Sequence, residues 1–304
     1  MYLRLALKLY LAGQLDVIIL VMISSEIIIY IKSLLSEKIK VTRPLLGGDI
    51  NEVYLLATTT QKIVVKLNKS SNFPKMFEAE AKGLQELKKS NTFKIPEILH
   101  FGVVGNWSFL MMEYVSSGQP IDNFWEVFGI KLATLHQHCK PYFGLDYDNY
   151  IGSLPQYNTK CQSASEFYIT QRLEPQFRLA VQKGFSFSKL DTFYKNITKE
   201  IINEPSSLIH GDLWSGNYLV DQNGLPCLID PAIGYAPREM DIAMMQLFGG
   251  FKTKLFEVYN EIFPLKEGCR DRIPIFQLYY LLVHLNLFGS SYYNKVNQIV
   301  RAHY

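Results

Sequence analysis

The sequence predicts an α+β chain of two lobes: a small five-stranded antiparallel sheet followed by a larger, mainly helical part. Three observations predict it. Apolar and β-branched runs of strand length crowd into residues 41–115. A loop-rich break, Ser116-Ser117-Gly118, follows them, and from about Trp125 the apolar residues take up helical spacing. On this reading residues 26–116 form the first lobe, 117–304 the second, and 1–25 an N-terminal extension.

In the extension, Arg4 and Lys8 precede the apolar run Val17-Ile18-Ile19-Leu20-Val21-Met22-Ile23, which has the outline of a signal peptide. Asp16 and Glu26 bracket that run and leave too little for a membrane span, so no stable membrane insertion is expected. A helix lying on a lipid surface is the second reading of this segment. Ser25 is placed to cap a helix from Glu26 to about Lys38, with Ile27, Ile28, Ile31, Leu34 and Leu35 at helical spacing. Strands follow at 41–46, 53–57 and 62–67, a helix at about 75–89, and strands at 95–99 and 109–115. The pair Gly47-Gly48 lies between the first two strands, where bare backbone N–H groups can approach an anion. A glycine pair alone only turns a chain; followed by the Val64-Val65-Lys66 strand it marks a nucleotide-binding lobe.

In the second part, Val127, Ile130, Leu132, Ala133, Leu135 and His136 continue one helix, with His136 read as a packed core histidine. Residues 143–158 hold too many Gly, Pro and Asn for a regular element and are expected as a surface loop near a substrate mouth. Phe167 to Lys183 reads as an amphipathic helix, Arg238 to Asp241 as the opening of another, and Phe276 to Phe288 as a core helix.

Composition bounds the function. The 304 residues are 48% hydrophobic and 19% charged, a globular balance. A net charge of +3 without a Lys/Arg block leaves no nucleic-acid footprint. Cys139, Cys161, Cys227 and Cys269 form no CxxC pair, which reads as free thiols in a reducing, cytoplasmic setting rather than a zinc site or disulfide frame.

The stretch 208–231, LIHGDLWSGNYLVDQNGLPCLIDP, reads as strand, loop, strand, turn, strand, with Asn223-Gly224 supplying the positive φ angles of a tight hairpin. It gathers Asp212, Asn217 and Asp230. An Asp, an Asn five residues on and a second Asp after a hairpin is the arrangement kinase-like phosphotransferases use. The first Asp orients or deprotonates the acceptor hydroxyl, while the Asn and second Asp hold Mg²⁺ on nucleotide phosphates. Taken singly, His-Gly-Asp is a strand-ending turn and Asp230 a helix cap. Lys66, at the end of its strand, fits a residue that pairs with the α/β-phosphates and is held by a helix glutamate.

HGDLWSGN at 210–217, IDPA at 229–232 and REMDIAMMQLFGGF at 238–251 together resemble the fructosamine-kinase (ketosamine-3-kinase) family, relatives of aminoglycoside and choline kinases. The resemblance runs from about Ile27 nearly to the C-terminus, and Met22 stands where members commonly start, so residues 1–21 read as a non-native extension. It implies a bilobal protein-kinase-like fold with ATP between the lobes and Mg²⁺ as cofactor. Gly47, Gly48, Asp49 and Lys66 would face the phosphates, Glu80 (alternatively Glu78) would hold Lys66, and Glu113 to Val115 would offer hinge backbone to the adenine. Asp212 would be catalytic, Asn217 and Asp230 metal ligands. Trp214 would be a flat surface for a sugar ring or an apolar aglycone, and His284 and Asn286 would line the sugar pocket. The implied substrate is the 3-hydroxyl of a fructosamine or ribulosamine, free or protein-bound, and the implied biology deglycation repair. Asp241 is expected to buttress the catalytic loop, and Arg238 to stabilise its turn or reach the substrate. The family's Trp-rich start to the helix near 167 is replaced here by Thr159-Lys160-Cys161-Gln162, which leaves part of the substrate rim open. Other readings of the chain are a kinase of another amino sugar, aminoglycoside or small alcohol, a metallophosphoesterase, and a non-catalytic pseudokinase.

Overall fold

A computed structural model describes residues 23–45 and 50–304. Helix α1 (Ser25–Leu35) precedes a sheet of β1 (Val41–Pro44), β2 (Glu52–Ala57), β3 (Lys62–Lys69), β4 (Ile98–Val104) and β5 (Trp107–Glu113), with helix α2 (Met76–Lys89) between β3 and β4. The spatial order is β1-β2-β3-β5-β4, every neighbouring pair antiparallel, so the expected five-stranded sheet forms with β3 at its centre. The last two strands lie two to five residues from their expected bounds. Ile95, expected in β4, is buried just ahead of it.

Helix α1 exists because Ile27 and Ile31, four residues apart, share one face. Both are buried against Leu56, Ile63, Val65, Phe109 and Met111 of the sheet. The helix stops sooner than expected, where Ser36 turns left-handed (φ 52°) and its N–H caps the Lys32 carbonyl. Ile23, just ahead of the helix, is buried in the same core. The N-terminal segment up to Met22, with the signal-peptide outline and the lipid-surface helix expected there, and Gly47, Gly48 and Asp49 fall outside the described residues.

The second lobe is mainly helical: α3 (Phe124–His136), α4 (Ala164–Phe167), α5 (Glu174–Gln182), α6 (Leu190–Glu200), α7 (Glu239–Phe248), α8 (Thr253–Ile262), α9 (Cys269–Phe288) and α10 (Tyr293–Ala302). Gly129 lets α3 and α8 touch: a Cβ there would sit 2.5 Å from the Leu255 carbonyl. A π-helical turn, Tyr168–Leu173, joins α4 to α5 and directs Arg172 into the core, where it donates to the Tyr157 carbonyl and, at 2.8 Å, to Asn158 Oδ1. Regular amphipathic spacing did not foretell that bulge.

The segment expected as a surface loop contains a hairpin of β6 (Asn149–Ile151) and β7 (Leu154–Gln156) whose polar side chains are buried. Asn149 Nδ2 donates to the Ile233 carbonyl at 2.9 Å and Gln156 Nε2 to the Ala232 carbonyl at 3.0 Å. Asparagine and glutamine are used inside here because the backbone they hold has no strand partner of its own.

Among the described residues no helix is long and apolar enough to cross a membrane. Replacing the fully buried Ile31 by Ala is expected to cost about 2–4 kcal/mol in urea-unfolding measurements. Ile29→Ala, at a position 68% exposed, is expected to cost less than about 0.5 kcal/mol.

Candidate active site

Two short antiparallel pairs carry the segment that holds Asp212, Asn217 and Asp230. Strand β8 (Ser207–Ile209) pairs with β11 (Gly234–Ala236), and β9 (Tyr218–Val220) with β10 (Pro226–Leu228). The loop β8–β9 therefore runs beside the loop β10–β11. Three hydrogen bonds join them: Ala232 N–H to the His210 carbonyl (2.9 Å), Ile229 N–H to the Asn217 carbonyl (3.0 Å), and His210 Nε2 to the Ile229 carbonyl (2.9 Å). Gly211 (φ 82°) makes the approach possible, since a Cβ would fall 2.0 Å from the Ala232 oxygen. The β9–β10 connection differs from the expected tight turn. Only Gly224 has positive φ (76°), and Asp221 Oδ1 accepts from the N–H groups of Asn223 and Leu225, giving a three-residue loop closed by a left-handed glycine.

Asp241, at the start of α7, fixes this assembly. Its Oδ2 accepts from His210 N–H and its Oδ1 from Gly211 N–H, each at 2.8 Å, and His136 Nε2 lies 3.2 Å from Oδ2. Burial would raise the carboxyl, but His136 and the loop N–H groups outweigh it and hold Asp241 below the usual carboxylate range. The expected buttress is thus present, and His136 is the core histidine expected. Arg238 does not reach the cleft. It is buried against Glu204 (2.8 and 3.0 Å) and the carbonyls of Phe263 and Pro264, both at 2.7 Å.

Asn217 Nδ2 donates to the Asp212 carbonyl (2.8 Å) and to Asp212 Oδ2 (3.1 Å), so among the described residues its Oδ1 keeps a free lone-pair face. Asp212 is pushed up to about 7, first by burial, with the charges of Asp230 and Asp241 adding and the Asn217 bond opposing. Asp230 sits in the left-handed region (φ 54°), a conformation non-glycine residues hold only where their surroundings impose it. Its Oδ1 meets Lys66 Nζ at 2.5 Å, and the other side of that ammonium meets Glu80 Oε1 at 2.6 Å. Burial would lower Lys66, but the Asp230 and Glu80 carboxylates override it and keep the ammonium charged. Glu78 instead pairs with Lys82 at the surface, so Glu80 is the inward-facing helix glutamate. Helix α2 is in turn tied to the second lobe by Tyr235 Oη, which donates to Glu86 Oε1 at 2.9 Å.

Lys66, Glu80, Asp212, Trp214, Asn217, Asp230 and His284 all line one cleft of about 540 Å³ between the lobes. Trp214 is 41% exposed, its ring lying where a Cβ on Gly216 would be 2.3 Å away. His284 donates from Nδ1 to the Tyr280 carbonyl (2.8 Å), since a carbonyl only accepts; burial lowers its pKa and leaves the neutral Nε2 as an acceptor. Asn286, expected in the sugar pocket, does not line the cleft. Two residues on from His284 it points to another helix face, is buried, and donates to the carbonyl and Oε1 of Gln176, both at 2.9 Å. Glu113 spends its side chain on Lys94 (2.7 Å), whereas the backbone N–H and carbonyl of Val115 have no partner among the described residues. Thr159, Lys160, Cys161 and Gln162 are absent from the cleft lining, with Cys161 buried beside Phe143.

The fructosamine kinase family profile matches residues 23–303. This chain belongs to the fructosamine kinase family. Its relatives include a "probable ketoamine kinase" of Enterococcus faecium, 39% identical over 264 residues that span 84% of this chain and 93% of that one. A second "probable ketoamine kinase", YniA of Escherichia coli K12, is 34% identical over 86% of this chain and 94% of its own. The crystal structure of a protein assigned as a fructosamine-3-kinase from Thermobifida fusca superposes with a TM-score of 0.81 at 31% identity, covering 92% of this chain and 98% of that one. The aminoglycoside phosphotransferase APH(4)-Ia, solved with AMP-PNP and hygromycin B, shares the fold at a TM-score of 0.63 and 14% identity, covering 92% and 99%. As a fructosamine kinase family member the chain is a phosphotransferase of the protein-kinase-like fold.

The sequence reading missed Asn149, Gly152, Phe248 and Phe288, which also line the cleft. Phe288 ended a helix read as core and Phe248 lay in the helix opened by Arg238 to Asp241, and nothing in helical periodicity distinguishes a cleft-facing end residue from a buried one. Asp241→Asn is expected to cost about 1.5–3 kcal/mol at neutral pH, the range for hydrogen bonds to a charged group. Because the folded-state pKa of Asp241 is lowered, its contribution is present above the unfolded value and lost as pH falls. The deficit of the variant, read from urea melts, should therefore shrink below about pH 4.

Proposed function

We propose that this family member transfers the γ-phosphoryl group of ATP to the 3-hydroxyl of ketosamines, fructosamines or ribulosamines, free or attached to a protein amine. One observation carries the reading: Lys66, Glu80, Asp212, Asn217 and Asp230 converge on a single cleft from both lobes.

The donor set fits Mg²⁺. Asn217 Oδ1 and the second oxygen of Asp230 are hard oxygens left without a partner among the described residues, and two protein ligands suit a cation that keeps phosphate oxygens and waters. Bound there, the cation supplies charge neutralisation on the phosphates. Lys66, kept charged by its carboxylate partners, adds a fixed positive charge for the α- and β-phosphates. That ammonium also pairs with Asp230. Glu80 stops the lysine from swinging away. The backbone of Val115 suits an adenine edge, and the stretch Gly47-Gly48-Asp49 suits the phosphate cover.

Asp212 takes the acceptor hydroxyl. Its carboxyl, raised by burial to about 7, is basic enough to receive a proton near neutrality, and Asn217 Nδ2 fixes which oxygen faces the substrate. Because phosphoryl transfer is mostly positioning and charge neutralisation, these groups suffice. His210 argues against a metallophosphoesterase. One ring nitrogen faces the Ile229 carbonyl and the other accepts from Asp212 N–H, so neither is free to ligate a metal. Phosphorylation at the 3-hydroxyl makes the adduct labile, and deglycation repair is the role proposed for it.

The test is Mg²⁺-dependent ATP consumption with a fructose–lysine adduct, a ribulose–lysine adduct, kanamycin and choline. Turnover is expected with at least one ketosamine, reduced about 10²–10⁴-fold by Asp212→Asn. Lys66→Ala should abolish turnover while leaving the fold, judged by circular dichroism, intact. ATP consumption with kanamycin or choline and with neither ketosamine would overturn the assignment.

A further inference from the structure

The acceptor side of the cleft is aromatic and carries almost no charge. Helices α7 and α9 supply Met244, Phe248, His284, Leu287 and Phe288 to its wall, in the same cleft that Trp214 and Asp212 line. Phe248 and Phe288 flank the His284 ring at centroid distances of 4.6 and 5.4 Å, and yet stay 39% and 57% exposed. Large apolar side chains left open along the rim of a reaction cleft mark where a ligand covers them. Of the carboxylates in the cleft lining, Glu80 and Asp230 are held by Lys66, and Asp212 is the group proposed to take the acceptor hydroxyl. None is left among the described residues to meet a second cation on the acceptor. His284 is neutral and adds none. Gly152 (φ 57°) also lines the cleft, where a Cβ would lie 3.0 Å from Leu287 Cδ1 and 3.5 Å from Ile50 Cδ1.

We propose that this wall is the subsite for the substituent on the acceptor's nitrogen, and that it takes an uncharged apolar chain, such as the methylene stem of a glycated lysine. The inference rests on the ketosamine-kinase reading and narrows it. With the sugar hydroxyl at Asp212 and the ring against Trp214, the chain leaving the nitrogen lies along Phe248 and Phe288. A polycationic acceptor gains nothing from that surface and loses the hydration of its ammonium groups.

The experiment compares kcat/KM for the fructosamines of methylamine, hexylamine and 1,6-diaminohexane, with wild type and Phe288→Ala. The hexyl compound should exceed the methyl compound by at least about tenfold, nearly all in KM, as a few methylenes in an apolar pocket allow. The terminal ammonium should cancel most of that gain. Phe288→Ala should shrink the hexyl advantage several-fold, read within the variant as the ratio of kcat/KM for the hexyl compound to that for the methyl compound. Equal use of the methyl and hexyl compounds, preference for the diamine, or an undiminished hexyl advantage in Phe288→Ala would overturn the subsite alone. Absence of turnover with all three would overturn the ketosamine reading and the subsite with it.

Discussion

The buried carboxylate of Asp241 is the constraint on which the site depends. It accepts hydrogen bonds from the N–H groups of His210 and Gly211 and faces His136 from the far side, so three elements distant in sequence share one charge. A buried carboxylate without such partners would protonate or open the structure to water. With them it sets the backbone of the loop, and the loop sets Asp212 and Asn217. The loop's other edge is held by backbone alone: Ala232 and Ile229 N–H groups reach the carbonyls of His210 and Asn217. Gly211 is required at the crossing because no side chain fits under the Ala232 oxygen.

The second lobe thus presents a rigid floor, and the first lobe reaches it through Lys66. One ammonium bridges Glu80 on α2 and Asp230 beside the floor, so the pair that would hold phosphates also registers the two lobes. Tyr235 and Glu86 repeat the tie farther along the same helix. Behind Asp230 the β6–β7 hairpin spends buried amide side chains on the carbonyls of Ala232 and Ile233. The left-handed backbone at Asp230 is held from both sides and can sustain its strain.

Much of this was legible from residues in order. Strand pattern and the break at Ser116-Ser117-Gly118 gave two lobes, and the spacing of Asp212, Asn217 and Asp230 gave the site, because short-range spacing and hairpin geometry bring those three together. Lys66 and Glu80 were legible as a strand-end lysine followed by a helix, and the helix period excluded Glu78 and Glu80 from facing inward together. His284 and Asn286 show where such reasoning ends. Both are polar residues in one apolar helix, yet only His284 faces the cleft, while Asn286 satisfies Gln176. The hairpin in 149–156 was hidden for the same reason. Polar residues read as exposed unless the partner that buries them is known, and here the partners are carbonyls some eighty residues away.

What the sequence by itself determined is therefore local: the strands and helices, the glycine-dependent turns, and the set of side chains that chemistry of this kind requires. Periodicity and motif spacing act over a few residues, and those features depend on nothing farther. The tertiary structure alone decided which face of α9 meets the cleft, that Arg238 serves Glu204 and two carbonyls instead of a substrate, and that Phe248 and Phe288 remain uncovered. Each of these depends on what packs against a residue from another part of the chain. A contact between distant segments leaves no periodic trace in either one.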